Sequence, residues 1–238
     1  MDDIFVRTKK LIGDMAFSKL SNTTIILFGL GGVGGFILES LARSGIENFI
    51  LIDFDKIETS NLNRQIITNL NNISMGKADA AKSRVLSINK DCNVISINAK
   101  VVPNKLDNET DKITMANISS LIKDIDKSKI FIIDAIDDKN AKLEIIRYAK
   151  TNNIEIISCM GTARKMDSSK FKICDIFETK TCPIAKIMRE MLRKEKIDSL
   201  TVLYSDDEPI IKEKGVIAYM PGIAGLMISE YVIKKIIN

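Results

Sequence analysis

The feature that most constrains the fold is an apolar segment that runs directly into a cluster of glycines. Ile25–Phe28 is rich in β-branched residues and predicts a buried strand, and apolar residues at helical spacing follow from Phe36 onward. Between them lies Gly29-Leu30-Gly31-Gly32-Val33-Gly34. A strand, a glycine turn and a helix in this order can bind phosphate, because the helix N-terminus offers N–H donors to the anion. The sequence therefore predicts a nucleotide site after the first strand.

Three glycines of this turn have distinct physical roles. Gly29 permits the tight turn, Gly31 lets the backbone approach a phosphate, and Gly34 lets the helix pack close to the strand. A second buried strand is predicted at Asn48–Ile52, and Asp53 follows it about 20 residues after Gly34. An acidic residue at that offset hydrogen-bonds a ribose hydroxyl, and a simple turn cap is the alternative.

Strands and helices alternate over the following hundred residues or so. Strands are predicted at 94–97, 129–134 and 154–158, and helices at 5–20, 77–89, 114–123 and 139–152. Alternation with short turns indicates a parallel sheet with right-handed crossovers. We therefore expect an α/β fold, with a Rossmann-like, mostly parallel sheet and helices on both faces.

The pattern changes after Gly161. Strands are predicted at 171–176, 200–204 and 216–219, a basic helix at 183–195, and a last helix at about 222–236. We expect a smaller C-terminal α+β extension that completes the sheet. The whole chain, 1–238, is then a single nucleotide-binding domain, with 1–160 as its core and 161–238 facing the substrate.

The composition excludes several kinds of chemistry and partner. The chain contains no histidine, so a mechanism that needs a histidine base is excluded. Its four cysteines form no Cys-x-x-Cys pair, so neither a zinc knuckle nor a disulfide framework is expected. The acidic N-terminus and the charges that interrupt the apolar C-terminal run predict a cytoplasmic protein without a membrane partner. The net charge of +4 is compatible with a polyanionic partner and does not require one.

Three features favour ATP over a nicotinamide cofactor. Gly32 adds a glycine to the turn, and Arg64 and Lys77 supply two cations, which a triphosphate needs and NAD does not. Asp137 follows a strand end and suits Mg²⁺, whereas Asp134 beside it is better explained as a brace of the loop. A nucleotide-binding oxidoreductase or regulatory module becomes the disfavoured alternative.

Five motifs occur together in the order and at the separations of one superfamily. They are Gly29–Gly34, Asp53–Asp55, Ser60–Gln65, Gly76-Lys77 and Asp134–Asp137. Together they resemble the ubiquitin-activating-enzyme-like superfamily, which includes the adenylyltransferases of sulfur-carrier proteins, over residues 5–160. The resemblance implies binding of ATP and Mg²⁺. It also implies attack of a carboxylate on the α-phosphate, which gives an acyl-adenylate and pyrophosphate.

The resemblance also implies a role for individual residues. The expected ATP-binding residues are Gly29, Gly31, Gly32, Gly34, Asp53, Asp55, Ser60, Asn61, Arg64, Lys77 and Asp137. Of these, Arg64, Lys77 and Asp137 would be catalytic, and Asp137 would hold the magnesium ion. Arg7 matches an arginine that reaches the ATP of the neighbouring subunit, so a homodimer is expected.

The C-terminal third resembles one branch of the superfamily, the tRNA threonylcarbamoyladenosine dehydratases. The segments that carry this likeness are Ser158–Asp167, Lys180–Arg189 and Tyr204–Pro209. In that branch the threonyl carboxylate of the modified adenosine is adenylated, and an internal carbamoyl oxygen closes a ring and releases AMP. The alternative is adenylation of the C-terminal carboxylate of a ubiquitin-like sulfur carrier. Relatives that activate molybdopterin synthase typically carry two Cys-x-x-Cys zinc pairs, so no zinc is expected here.

Several basic residues and one cysteine keep two interpretations each. The basic residues either contact tRNA phosphates or form a solvated face, and both interpretations stay open for Arg164, Lys165, Lys186, Arg189 and Arg193. Cys182 precedes Pro183 at a predicted helix start that would favour its thiolate, but the cyclisation needs no thiol and a small packing residue is favoured. A monovalent cation near the site and a sulfur-relay or cysteine-desulfurase-type partner protein are also left open.

Overall fold

The chain alternates strands and helices over the residues that a computed structural model describes, which are 3–104, 109–208, 213 and 215–238. Pro209, the last residue of the Tyr204–Pro209 segment, lies outside them. The helices are α1 (Val6–Ile12), α2 (Asp14–Ser21), α3 (Gly32–Ser44), α4 (Lys77–Ile88), α5 (Met115–Leu121), α6 (Lys139–Thr151), α7 (Pro183–Lys194) and α8 (Tyr219–Ile237). The strands are β1 (Thr24–Phe28), β2 (Asn48–Ile52), β3 (Asn93–Ile97), β4 (Lys100–Val101), β5 (Lys112–Ile113), β6 (Ile130–Asp134), β7 (Glu155–Cys159), β8 (Phe171–Asp175) and β9 (Thr201–Ser205).

Seven strands form one sheet in the order β3-β2-β1-β6-β7-β9-β8. All neighbouring pairs are parallel except β8 and β9, which pair antiparallel at one edge. β4 and β5 form a separate two-stranded parallel ladder. The C-terminal strands thus continue the sheet of the core, which confirms the predicted α/β architecture.

Alternation along the central strand divides the core into two halves. On β1, Ile25 and Leu27 pack into the half that contains α3, α4 and α8, and Ile26 and Phe28 pack into the half with α5, α6 and α7. Helix α8 lies against α3 so closely that a Cβ on Gly225 would be 2.7 Å from the carbonyl oxygen of Val33. Because both faces of β1 are buried, the sequence of this strand is a continuous apolar run and does not alternate between apolar and polar residues.

The order of the strands reverses between β1 and β6. The chain moves from β1 outward through β2 to β3, and then returns to place β6 on the other side of β1. In sheets of this kind the connections diverge at the reversal and leave a crevice outside the carboxyl ends of the strands. Gly29 follows β1 and Ala135 follows β6, so both lie at this crevice.

Two predicted elements differ from the structure. The expected helix 5–20 is divided at Gly13, whose φ of 81° ends α1 before α2 begins. The expected strand 216–219 is absent from the described residues, and Tyr219 instead begins α8. The N–H groups of Met220 and Gly222 donate to the carbonyl oxygens of Ile217 and Ala218, each at 3.2 Å, so this segment turns into the helix instead of pairing with a strand. In the part of the chain that the structure covers, none of the helices is both long and apolar enough to cross a bilayer.

Candidate active site

A cavity of about 350 Å³ opens at the crevice between β1 and β6. Nine of the predicted ATP-binding residues line it, namely Gly29, Gly31, Gly32, Asp53, Asp55, Asn61, Arg64, Lys77 and Asp137. The structure therefore brings together residues from the glycine turn, the loop after β2, the start of α4 and the loop after β6. Gly34, Ser60 and Arg7 are not among the described residues that line this cavity.

The glycine turn is shaped by close backbone packing. Gly29 has a φ of 87°, and a Cβ on it would lie 2.7 Å from the carbonyl oxygen of Ala135. A Cβ on Gly34 would lie 1.8 Å from the carbonyl oxygen of Gly29. Gly31 caps α3 without a side-chain hydrogen bond, so the N-terminal N–H groups of α3 are free of a capping side chain beside the cavity. This arrangement suits an anion.

Asp53 organises the turn from the neighbouring strand. One carboxylate oxygen, Oδ2, accepts from the N–H of Leu30 at 2.7 Å, and Oδ1 accepts from the N–H of Asp55 at 2.9 Å. Burial raises the pKa of Asp53 above its ordinary value, although these two N–H groups act in the opposite direction. The predicted ribose contact stays a prediction, and the carboxylate oxygens keep further lone pairs for it.

Lys77 is held at the wall of the cavity by Asp55. Its Nζ atom lies 2.6 Å from Oδ2 of Asp55, and the lysine side chain is buried whereas the carboxylate is exposed. Asp55 therefore orients the ammonium group. The predicted contact of Asp55 with the nucleotide stays a prediction.

Arg64 is anchored by its own loop. Its Nη1 atom donates to the carbonyl oxygen of Ser60 at 2.9 Å and to Oδ1 of Asn63 at 2.8 Å. The carbonyl oxygen of Ser60 thus helps to position the guanidinium, and the predicted contact of Ser60 with the nucleotide stays a prediction. Gln65 was not predicted as a site residue, yet it lines the cavity, is 5% exposed, and its Oε1 atom has no hydrogen-bond partner among the described residues. The sequence signal that could have identified Gln65 was its position directly after Arg64.

The two aspartates of the Asp134–Asp137 motif have different environments. Asp134 is fully buried, and its Oδ2 atom accepts from Nζ of Lys142 at 2.9 Å and from the hydroxyl of Ser158 at 2.6 Å. Its other oxygen, Oδ1, accepts from the N–H of Ile136 at 3.2 Å, so Asp134 braces the loop. Asp137 is exposed and lines the cavity.

The acidic side chains suit Mg²⁺ only together with a ligand. Over the described residues, no group of three or more Cys, Asp and Glu side chains converges that could hold a metal ion by itself. Mg²⁺ is commonly held by one or two carboxylates plus phosphate oxygens and water. Asp137 fits that description. Asp134 does not, because its carboxylate is already paired with Lys142.

A second cavity, of about 670 Å³, adjoins the first. Seven of the described residues line both cavities, and Arg64, Asp137 and Thr162 are among them. The second is lined further by Met160, Gly161, Ala163, Arg164, Lys165, Cys182, Pro183 and Ile184. Arg64 and Asp137 therefore stand at the junction of two compartments, one beside the glycine turn and one built largely by the C-terminal third.

The predicted tRNA contacts differ in exposure. Lys165 is 7% exposed, its Nζ atom donates to the carbonyl oxygens of Ser205, at 3.3 Å, and Asp207, and burial lowers its pKa. Its ammonium group is therefore turned inward, contrary to the expectation of a surface contact. Arg164 adopts a φ of 65°, and its N–H donates to the carbonyl oxygen of Gly215 at 2.9 Å.

Helix α7 presents basic side chains at the surface. Lys186 and Arg193 are exposed, and the Arg193 guanidinium lies 5.3 Å from the ring centre of Phe177. Arg189 is partly buried and donates to the carbonyl oxygen of Thr179 at 3.0 Å. Arg189 therefore has a structural partner, whereas Lys186 and Arg193 are the better placed for an external anion.

Cys182 is the N-cap residue of α7 and is 2% exposed. It makes no capping hydrogen bond and packs with the apolar residues of the α6–α7 half of the core. Cys159 is buried as well, and burial raises the pKa of its thiol to about 12. Both thiols thus lack the exposure of a reactive thiolate, although Cys182 lines the second cavity together with Arg164 and Lys165.

Comparison with known proteins gives a consistent set of relatives. The ThiF family model matches residues 6–238. A tRNA threonylcarbamoyladenosine dehydratase of Bacillus subtilis is 31% identical, over 98% of this chain and 94% of that protein. The crystal structure of Escherichia coli tRNA N6-threonylcarbamoyladenosine dehydratase in complex with ATP superposes with a TM-score of 0.85 and 26% identity, over 98% of this chain and 93% of that one. Its complex with AMP has a TM-score of 0.83 and 25% identity, over 97% and 92% of the two chains.

Proposed function

This chain belongs to the ThiF family, and on that premise we propose that it uses ATP to dehydrate threonylcarbamoyladenosine in tRNA. The observation that carries the proposal is the likeness to the Bacillus subtilis dehydratase along nearly the whole of both chains. A tRNA substrate implies that the protein works in the cytoplasm. The two adjoining cavities support the proposal, because the reaction brings a nucleotide and a carboxylate together.

ATP occupies the cavity at the glycine turn in this proposal. The phosphates lie over Gly31 and the N-terminus of α3, with Arg64 and Lys77 neutralising their charge. The ribose lies towards Asp53. Solved complexes of the Escherichia coli dehydratase with ATP and with AMP are consistent with ATP use and with AMP as the leaving group.

Asp137 is the residue that would hold Mg²⁺. The ion would neutralise phosphate charge and polarise the α-phosphate, which is the Lewis-acid role of a metal in phosphoryl chemistry. Asp134 has no part in this, since its carboxylate is paired with Lys142. We assign no residue to a monovalent cation.

The threonylcarbamoyl group enters from the second cavity. Its carboxylate then meets the α-phosphate at the junction, where Arg64 and Asp137 are shared by both cavities. The carboxylate oxygen bonds to the α-phosphorus and pyrophosphate leaves. The carbamoyl oxygen next bonds to the acyl carbon, AMP leaves with the former carboxylate oxygen, and a carbamoyl N–H proton passes to solvent. Because nucleophile and electrophile belong to one group, proximity favours ring closure without an enzyme nucleophile.

The decisive experiment compares two acceptors. The protein is incubated with ATP, Mg²⁺ and either threonylcarbamoyl-modified or unmodified tRNA, and the nucleosides are analysed by mass. We expect the modified nucleoside to lose the mass of one water, with AMP formed, and chelation of Mg²⁺ to stop both. Pyrophosphate exchange that depends on a carrier protein ending in Gly-Gly, and ignores tRNA, would instead favour the sulfur-carrier alternative.

Helix α7 and Arg164 are the parts of the surface we assign to tRNA. Replacing Lys186 and Arg193 together by alanine should weaken tRNA binding more at low salt than at high salt. Each lost phosphate contact lowers the slope of log affinity against log salt by about 0.7–0.9. The measurement is a salt titration of tRNA affinity. The matched control replaces Lys90 and Lys123, which are exposed elsewhere, and an equal effect of both double variants would refute the assignment.

Cys182→Ala should keep most of the activity, because the thiol is buried and ring closure needs no sulfur. A small apolar residue replaces it at a packed N-cap, so the stability should fall only slightly. The turnover of modified tRNA is the measurement. A complete loss in a folded variant would instead give the thiol a chemical role and revive the sulfur-relay partner, for which we assign no contact surface.

A homodimer in which Arg7 completes the partner's site is the assembly we propose. Arg7 is exposed on α1, next to exposed apolar side chains of Val6, Leu11 and Met15 that suit a protein contact. If so, co-expressed Arg7→Ala and Arg64→Ala chains should recover about a quarter of the wild-type rate, since mixed dimers contain one intact site. Mixtures that stay inactive, or a monomer in solution, would exclude the shared site.

A further inference from the structure

A fully buried lysine lies beneath the wall that the two cavities share. Lys142 projects from α6, and its Nζ atom lies 2.9 Å from Oδ2 of Asp134, 2.8 Å from the carbonyl oxygen of Cys159 and 3.2 Å from the hydroxyl of Ser158. All three ammonium donors therefore have an acceptor. A buried ion pair is weak evidence for stability, because apolar residues of the same volume often stabilise a fold as well or better. Its presence here calls for a reason besides stability.

The contacts of Lys142 lead to one wall of each cavity. Through Asp134 it reaches the loop of Ala135–Asp137, because the second carboxylate oxygen of Asp134 accepts the N–H of Ile136. Through Cys159 it fixes the last residue of β7, directly before the segment 160–164 that lines the second cavity. One ammonium group thus joins the loop that carries Asp137 to the segment that forms the second cavity.

The nucleotide side of this wall has little room to move. The N–H of Ala135 donates to the carbonyl oxygen of Phe28 at 2.8 Å, and its own carbonyl oxygen lies so close to Gly29 that even a Cβ there would not fit. Because Ala135 is held in place, a shift of Asp134 would be transmitted through Ile136 to Asp137. Packed backbone of this kind transmits displacement rather than absorbing it.

We propose that the Lys142–Asp134 pair is a positioning device that sets the separation between the nucleotide and the acceptor carboxylate. The inference rests on the proposed function. Lys142 touches neither substrate and acts through Asp137 and the segment 160–164. Without the pair, ATP still binds at the glycine turn, but the carboxylate is misplaced and water gains access to the adenylate. Water then attacks the acyl carbon, AMP leaves, and the carboxylate is regenerated without ring closure.

The test uses a double variant that removes both charges and keeps the volume, Lys142→Met with Asp134→Asn. Lys150→Met is the matched control, since Lys150 is on the same helix and its Nζ atom contacts only the hydroxyl of Ser199 among the bonds described. We expect the double variant to fold and its KM for ATP to stay within about threefold of wild type. The kcat should fall about 100-fold, because an ångström of misplacement has effects of this size. The number of AMP molecules released for each cyclised nucleoside should rise above one.

A second readout does not depend on tRNA. Amide hydrogen exchange should become faster at Ile136 and at 160–164 in the double variant and stay unchanged at 25–28, inside β1. Unchanged exchange at Ile136 and 160–164, or a kcat within threefold of wild type with one AMP for each ring, would overturn the inference. So would a loss of ATP binding in a folded variant. If the double variant does not fold, Ser158→Ala removes one hydrogen bond of the cluster and should change exchange in the same direction. An inactive wild type would count against the proposed function alone.

Discussion

Arg64→Ala is expected to abolish AMP formation while the protein stays folded. Arg64 stands where the two cavities meet, so its guanidinium can neutralise charge that develops on the α-phosphate during carboxylate attack. Removing one such donor typically lowers the rate by 10²–10³, and a loss of about 10³-fold is expected here because a full positive charge is removed. Its hydrogen bonds to Ser60 and Asn63 lie within one partly exposed loop, so the melting temperature should change little.

The measurement is the rate of AMP production with modified tRNA, and two further variants serve as comparisons. Arg64→Lys keeps the charge but loses the planar fork, so an intermediate rate is expected. Arg43→Ala, which removes an exposed guanidinium from α3 while its partner Glu39 keeps its ion pair with Arg84, should behave as wild type. A rate for Arg64→Ala within tenfold of wild type would remove Arg64 from the catalytic group.

The part of the site that was predictable from sequence is the part that follows from local pattern. The glycine turn and Asp53 come directly after an apolar strand, Asp137 lies in the loop after β6, and parallel strands bring their carboxyl ends to one edge. Lys77 was predicted as the first residue of a helix, because helical spacing of apolar residues begins there, and it follows the loop that carries Arg64. Motif order therefore fixed which residues converge, although not which of them contact one another.

The burial of two lysines, Lys142 and Lys165, was not predictable from the sequence. Lys142 lies on an amphipathic helix, where a lysine predicts a solvated face, and only the ends of β6 and β7 supply its acceptors. Lys165 follows Arg164 and was expected at the surface, but the carbonyl oxygens of Ser205 and Asp207 draw it inward. The acceptors of Lys165 lie 40 and 42 residues further along the chain. Those of Lys142 lie 8, 16 and 17 residues away on two different strands, so the pattern of its own helix does not reveal them.

The glycine turn yields the largest expected change in stability. Gly34→Ala should destabilise the protein by about 3 kcal/mol or more, the upper end of the range for overpacked sites. Its Cβ would lie 1.8 Å from the carbonyl oxygen of Gly29, and Gly29 is in turn pressed against Ala135. The colliding atoms belong to the backbone, so no side-chain rotation can relieve the contact. Urea denaturation followed by circular dichroism is the measurement, and a midpoint equal to that of wild type would show that the turn can relax.

Gly31→Ala is the matched control in the same turn, and it separates packing from phosphate binding. A Cβ on Gly31 would meet nothing closer among the described residues than Nε2 of Gln65 at 3.8 Å, an ordinary contact. The loss of stability should therefore stay within about 1 kcal/mol, the typical cost of alanine at an N-cap relative to the residues preferred there. The methyl group would, however, enter the cavity where the phosphates are proposed to lie, so ATP affinity should fall about tenfold or more, equal to about 1.4 kcal/mol. Wild-type ATP affinity in this variant would place the phosphates elsewhere in the cavity, whatever the outcome at Gly34.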